Sequence, residues 1–316
     1  MSMGAVLCVG QLVADVVVRP VDRLPVKGTA DVVREFDLVA GGCAANTACV
    51  LAKLGADTRA AGVVGRDVLG EVVVSEVARA GVDVSAVIRH ASIPTSAVVV
   101  VVDREGERSF LYRSGGAEAL DCEMALGALQ PDVACVHIGG AMKLHSLDLS
   151  RFLQAARAPG RLLSLDTDWD PTGSWARRLS PALAWLDVVM TNREEGRAIT
   201  GLDDPIAIAR AFVARGPRIA LVKCGADGAV VAAGQTAALF PTYNVAVSDT
   251  TCAGDAFAAG FLYAVERDWP IERAVEVANG AGALATTAVS HRAVTSLDAV
   301  LALVDAARRP QPHGSE

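Results

Sequence analysis

Aromatic residues make up only 4% of the 316-residue chain, against a hydrophobic fraction of 52%. Ala, Val and Leu therefore carry the apolar content, a profile that fits strands buried on both faces of a parallel sheet. Basic charge is also scarce. Lys and Arg number 29 against 36 Asp and Glu, a formal net charge of −7, so nucleic acid or an anionic membrane surface finds no electrostatic footprint. Apolar runs are short, as at Ala97–Val102, far below the roughly 20 residues of a membrane-crossing helix. The opening MSMGAVLCVG lacks the basic segment, apolar core and cleavage site of a secretory leader. The seven cysteines form no CxxC pair and no zinc spacing; within apolar runs a reduced cysteine acts as a small hydrophobe. The five histidines form no metal spacing either, so hydrogen-bonded or surface roles suffice for them. These absences together lead us to expect a reduced, soluble, cytoplasmic protein. No Pro-, Gly- or Ser-rich linker and no internal repeat divides the chain, so one domain is expected over 1–308, with a disordered tail at 309–316.

What is present is a rhythm. AVLCVG, TRAAGVVG, VACVHIG, RLLSLD, LDVVMTN and RIALVKCG are short apolar runs, each followed by polar or glycine-rich residues. Between them the pattern predicts helices after Gly42 and over 69–80, 147–158, 204–215, 255–266 and 271–287. Repeated strand–helix units imply a mostly parallel sheet with helices on both faces. Three early stretches, DVVVRP, DVVREFDLVA and the hairpin pair SAVVVVVD and ERSFLYR, are more amphipathic, and are expected to form a small separate sheet from about 13–40 and 95–115. In such folds ligands collect where the carboxyl ends of strands feed loops.

Three glycine-rich stretches could approach a phosphate. GVVGRDVLGE (Gly62–Glu71) has neither dinucleotide-loop nor P-loop spacing and reads as a strand–helix turn. AGGCAANTACV places two glycines and Asn46 at a helix start, which serves equally a turn or a surface for close ligand approach. DTTCAGDAFAAG (Asp249–Gly260) starts a helix near Ala253 or Gly254. The first N–H groups of that helix lack internal partners and carry the positive end of its dipole, while Cys252, Ala253 and Gly254 leave room for an anion. Asp255 in the first turn could simply complement the dipole. A carboxylate beside an anion pocket also has one chemical use, which is to take the proton from a hydroxyl attacking a phosphoryl group while the amides stabilise the developing charge.

DTTCAGD resembles the DTxGAGD signature of the ribokinase family, the PfkB-type carbohydrate kinases. GGCAANTACVLAKLG resembles its GG-x-x-x-N signature, GRDVLGE its GxDxxG segment, TNREEGRAITG its NxxE segment and VKCGADGAVV its nucleotide segment. The five motifs cover nearly the whole chain in the family's order. The resemblance implies a ribokinase-like three-layer α/β/α sandwich with a mostly parallel central sheet and a small β-sheet lid, and an ATP- and Mg²⁺-dependent kinase acting on a sugar or sugar-like hydroxyl. A nucleoside acceptor and a catalytically silent sugar binder are its alternatives.

The resemblance also implies roles by position. Asp255 is the general base and Cys252, Ala253 and Gly254 supply the anion hole, with Cys252 standing where the family usually has Gly. Asp15, Gly41, Gly42 and Asn46 match acceptor-binding positions. Asn192 and Glu195 match NxxE, with Glu195 organising Mg²⁺ through water. Lys223, Gly225, Gly228, Thr250 and Asn279 fall on the nucleotide side, although by itself Lys223 reads equally as a strand-end cation in solvent. Asp249 matches the site of a monovalent cation (K⁺), but Arg292, where the later loop usually has Gly, argues against potassium. LDTDWDPTGSW departs from the D-x-N-x-R of some sugar-acid kinases, since Asp168 and Asp170 replace Asn and Arg, so a neutral polyol is favoured over a carboxylated acceptor. A homodimer through the lid is the family-level expectation.

Overall fold

The computed structural model describes residues 4–308 apart from 106, 171 and 289, and the tail expected at 309–316 lies outside the described residues. The strands in chain order are β1 (Ala5–Gly10), β2 (Val13–Arg19), β3 (Glu35–Gly41), β4 (Thr58–Gly65), β5 (Val87–His90), β6 (Ser96–Val102), β7 (Arg108–Arg113), β8 (Val133–Gly139), β9 (Leu162–Asp166), β10 (Val188–Asn192), β11 (Ile219–Lys223), β12 (Ala229–Ala233) and β13 (Thr236–Phe240). The α-helices are α1 (Cys43–Lys53), α2 (Val68–Arg79), α3 (Gly116–Ala119), α4 (Cys122–Gly127), α5 (Leu149–Ala156), α6 (Trp175–Leu183), α7 (Arg193–Thr200), α8 (Pro205–Val213), α9 (Ala253–Val265), α10 (Ile271–Ala285) and α11 (Leu297–Arg308).

Nine strands form one sheet in the order β13-β12-β11-β10-β9-β8-β1-β4-β5. Its members from β5 to β11 run parallel, and β12 and β13 fold back antiparallel at the edge. Alternation along β1 shows why these strands are apolar throughout: Val6 and Cys8 pack under α1, α2, α9, α10 and α11, while Leu7 and Val9 pack under α4–α8. Both faces are covered, giving the three layers expected. The strand order reverses between β1 and β8, which opens a crevice at their carboxyl ends.

The amphipathic strands form the separate four-stranded sheet, in the order β3-β2-β6-β7, with its own small apolar cluster of Val17, Val39, Val100 and Val102. Asp31–Arg34, expected as strand, lie outside it; only Glu35–Gly41 pair with β2. Arg113, at the end of β7, is exposed and donates to the Thr95 carbonyl at 2.7 Å.

The GRDVLGE stretch has a structural task at the entry to this small sheet. Asp67 caps α2 by accepting from the Gly70 N–H at 2.8 Å, and it also accepts from the Thr95 N–H (3.0 Å) and hydroxyl (2.6 Å). Thr95 immediately precedes β6, and its hydroxyl oxygen accepts from the Gly65 N–H at 2.8 Å. One carboxylate thus ties a helix start to the beginning of a strand of the small sheet. Asp67→Ala is expected to lower the unfolding free energy by about 1–2 kcal/mol, the size of a lost N-cap, as read from urea titration; an unchanged midpoint would contradict this role.

Candidate active site

The helix that begins in DTTCAGD starts at Ala253, as expected. Cys252 is its N-cap residue and adopts φ 69, the left-handed region that a side chain enters at a cost of roughly 1–2 kcal/mol. This explains the glycine usual at that position. The loop before it is tied down: Ser248 and Asp249 N–H both donate to the Thr286 carbonyl at the end of α10, and the Thr251 N–H donates to the Asp249 carboxylate at 2.8 Å. Ala253 N–H donates to the Thr250 carbonyl at 3.3 Å. The N–H groups of Cys252, Gly254 and Asp255 have no acceptor among the described hydrogen bonds and are left for an anion, whereas that of Ala253, also expected in the anion hole, is spent on Thr250.

Asp255 occupies the third position of α9, and its carboxylate accepts from the Asn46 amide at 2.8 Å. Asn46 lies in the first turns of α1, whose N-cap is Gly42 at φ 91. Thr47 adds a weaker bond from its hydroxyl to the Asp255 carbonyl. The remaining polar atom of Asn46, Oδ1, is buried with no partner among the described residues. Asp15 on β2 reaches the same place. A Cβ at Gly41 would stand 2.0 Å from the Asp15 Oδ2, so the glycine lets Asp15 keep this position. The structure therefore brings Asp15, Gly41, Gly42 and Asn46 together with Asp255, which lies 209 positions beyond Asn46 in the chain.

The electrostatics of this cluster are unusual. Burial, opposed by the Asn46 hydrogen bond and aggravated by the charge of Asp166, pushes the Asp255 carboxyl up to about 7. Burial, with the charges of Asp255 and Asp249 added, does the same to Asp15, also to about 7. Burial does the same to Asp168, so it is the location of this pair, two carboxyl groups in one crevice beside the start of α9, that makes it a candidate functional site.

Lys223 is not a solvated strand-end cation. Its ammonium is nearly enclosed and holds both oxygens of Asp166, at 2.8 and 2.6 Å. Asp166 ends β9 and escaped the sequence reading; the carboxyl terminus of RLLSLD was the available signal. Asn192 caps α7 by accepting from the Glu195 N–H at 2.8 Å, so the NxxE segment is a reciprocal capping box. The Glu195 carboxylate is 5% exposed and accepts from the Thr167 hydroxyl and the Asn192 N–H through one oxygen, leaving the other uncommitted. Gly225 and Gly228 form the turn between β11 and β12 at φ 59 and 98. Asn279 spends its amide on the carbonyls of Phe240 and Pro241, both at 3.1 Å, and so braces the wall beside that turn from within.

Asp249 faces a residue of the small sheet. Arg108 on β7 donates to the Thr251 hydroxyl at 2.8 Å and lies 3.8 Å from the Asp249 carboxylate, so a guanidinium already sits where a monovalent cation was expected. Arg292 is exposed. Among the described residues no group of three or more His, Cys, Asp or Glu is placed to hold a metal ion. Asp168 is a strut: it accepts from the Met142 N–H at 2.6 Å and the Gln11 amide at 2.8 Å. No helix among the described residues is long and apolar enough to cross a membrane.

The pattern of the pfkB family carbohydrate kinases matches residues 3–297. The chain belongs to that family. An ATP-dependent ribose-1-phosphate kinase of Halopiger xanaduensis is 33% identical over 96% of this chain and 98% of its own length. A fructokinase of Klebsiella pneumoniae is 32% identical over 78% of this carbohydrate kinase and 86% of its own length. Among solved structures, a Xylella fastidiosa fructokinase with bound ATP superposes with a TM-score of 0.81 at 25% identity, covering 96% of this chain and 99% of that one. A Methanocaldococcus jannaschii nucleoside kinase superposes equally well, TM-score 0.81 over 96% and 99% of the two chains, at 20% identity, and so shares the ribokinase fold.

The shifted carboxyl makes a stability prediction. An Asp raised from an unfolded value near 3.9 to about 7 holds its proton more tightly in the native state, so the native state loses stability as pH climbs through that interval. Asp255→Asn removes the loss. The Tm of the variant minus that of wild type should grow between about pH 4 and pH 7 and level off above; a difference independent of pH would contradict the assigned shift.

Proposed function

We propose that this carbohydrate kinase transfers the γ-phosphoryl group of ATP to a hydroxyl of a sugar or sugar-like small molecule, with Asp255 as the general base. The observation that carries this reading is the placement of a carboxyl group pushed up to about 7 at the third position of a helix whose Gly254 and Asp255 amides have no acceptor among the described hydrogen bonds. A base with that affinity is half ionised at neutral pH, close to the ideal for general-base work.

The acceptor sits between α1 and β2. Asp15 and the unpartnered Asn46 Oδ1 accept hydrogen bonds from its hydroxyls, and the Asn46 amide keeps the Asp255 carboxylate turned toward the hydroxyl that reacts. Asp255 takes that proton as the hydroxyl oxygen attacks. The Gly254 and Asp255 amides, with the helix dipole behind them, hold the charge on the transferring group. Gly225, Gly228 and the wall braced by Asn279 flank the nucleotide, and Thr250 lies in the turn that leads to the anion hole. Bound Mg²⁺ would neutralise the nucleotide phosphates. The residues fit such an ion held mainly by phosphates and water, with the free oxygen of Glu195 as protein contribution, which is ordinary for magnesium. A monovalent cation at Asp249 is not part of this reading. The small sheet is the lid, and closing it excludes water from the nucleotide. Its exposed Phe36, Phe110 and Leu111 would meet a second copy of the chain in a homodimer.

Two measurements test the reading. ADP release should be stimulated by at least one acceptor from a panel of ribose 1-phosphate, fructose, neutral polyols and nucleosides; stimulation by nucleosides alone would favour the nucleoside-kinase alternative, and none at all would favour the silent binder. With the best acceptor, Asp255→Asn should cut kcat by roughly 10²–10⁴ while the circular dichroism spectrum is retained, and wild-type kcat/KM should fall on the acid side of about pH 7. A variant turning over near the wild-type rate would remove Asp255 from the mechanism.

A further inference from the structure

Four carboxylates converge beside the start of α9: Asp15, Asp166, Glu195 and Asp255. An incoming phosphate would be repelled by them unless a cation stands at the point of transfer. Lys223 is the residue in that position. Gly254, the second residue of α9, shows how close it is. A Cβ built at Gly254 would stand 3.1 Å from the Lys223 Nζ, nearer than to any other atom of that side chain. The ammonium therefore lies against the helix N-terminus, one peptide unit from the base.

We infer that Lys223 is a catalytic residue whose ammonium contacts the transferring γ-phosphoryl group at the start of α9, and that Asp166 is the positioning residue that aims it there. The inference rests on the kinase reading above. The two bonds to Asp166 occupy two of the three ammonium protons and leave the third to donate. Burial works against the charge of Lys223, but Asp166 and Glu195 more than compensate and hold it protonated. An enclosed ion pair of this kind adds little to stability that a packed apolar pair would not. Its location is also informative, since Asp166 and Lys223 end β9 and β11 at the edge where parallel sheets bind ligands. In the step itself the bond from phosphorus to the nucleotide bridging oxygen breaks and that to the acceptor oxygen forms. The acceptor proton goes to Asp255, and Lys223 keeps its own protons throughout, contributing charge only.

A cation that touches only the γ group separates two ligands that differ only there. Dissociation constants of Mg²⁺·AMP-PNP and Mg²⁺·ADP are to be measured calorimetrically for wild type, Lys223→Met and the double variant Lys223→Met with Asp166→Asn. The double variant removes the ammonium without leaving a buried carboxylate unpaired. Both variants should bind AMP-PNP roughly 10- to 100-fold more weakly, the range of a charge-assisted hydrogen bond, and ADP within about twofold of wild type, which also shows that they fold. With an active acceptor, Lys223→Met should lower kcat more than it raises KM. Equal loss of both nucleotides would overturn the inference and leave the kinase reading standing. Restored AMP-PNP binding in the double variant would do the same, because the single variant would then have acted through the orphaned Asp166. A wild-type protein that binds neither nucleotide would overturn the kinase reading, and this inference with it.

Discussion

The hydrogen bond from the Asn46 amide to the Asp255 carboxylate joins the starts of two helices that come from opposite ends of the chain. Helix α1 follows β3 of the small sheet, helix α9 follows the last strand of the main one, and both lie on the same face of the nine-stranded sheet. Holding their N-termini together puts two sets of helix-start amides and one carboxylate into a single crevice. The cost is electrostatic, since Asp15 and Asp255 repel each other and both resist ionisation. That cost is tolerated where the carboxylates act on something that neutralises them, which is how an active site differs from a fold support.

Around this bond the chain separates rigid from adjustable parts. Both faces of the main sheet are covered by continuous apolar clusters. The small sheet has a core of four buried valines and is fastened at its margins by polar contacts: Asp67 with Thr95 just before β6, Arg113 with the Thr95 carbonyl, and Arg108 with Thr251 in the loop before α9. Hydrogen bonds of this kind exchange with water at little net cost, whereas a packed core does not. The two sheets are thus held by different means, the main one by packing and the small one largely by polar contacts at its margins.

Most of the architecture was legible from periodicity, because short apolar runs separated by helical spacing leave few topologies other than a doubly covered parallel sheet. Helices missed by that reasoning have identifiable causes. Helix α6 carries Pro181 in its interior, and α7 begins with the charged REEG of a motif that draws attention to its chemistry instead of its backbone. Helix α11 buries only Val300 and Val304, so its pattern is diluted by exposed apolar residues. At the site, the motif residues were legible and their partners were not. Lys223 could be read as a solvated strand-end cation or as a nucleotide ligand, and deciding required knowing that β9 and β11 flank β10, which places Asp166 within reach across 57 positions. Asn279 and Glu195 were found by position, yet much of their hydrogen-bonding capacity is spent inside the protein.

The central claim is geometric: one carboxylate and the amides beside it meet at a single phosphorus atom. It is tested most directly by a crystal structure with Mg²⁺, ADP, aluminium fluoride and an active acceptor. The fluoroaluminate should lie against the Gly254 and Asp255 amides, with the acceptor oxygen about 2.6–3.2 Å from the Asp255 carboxylate, the reach of a general base. A fluoroaluminate bound elsewhere, or an acceptor oxygen out of reach of Asp255, would contradict the account.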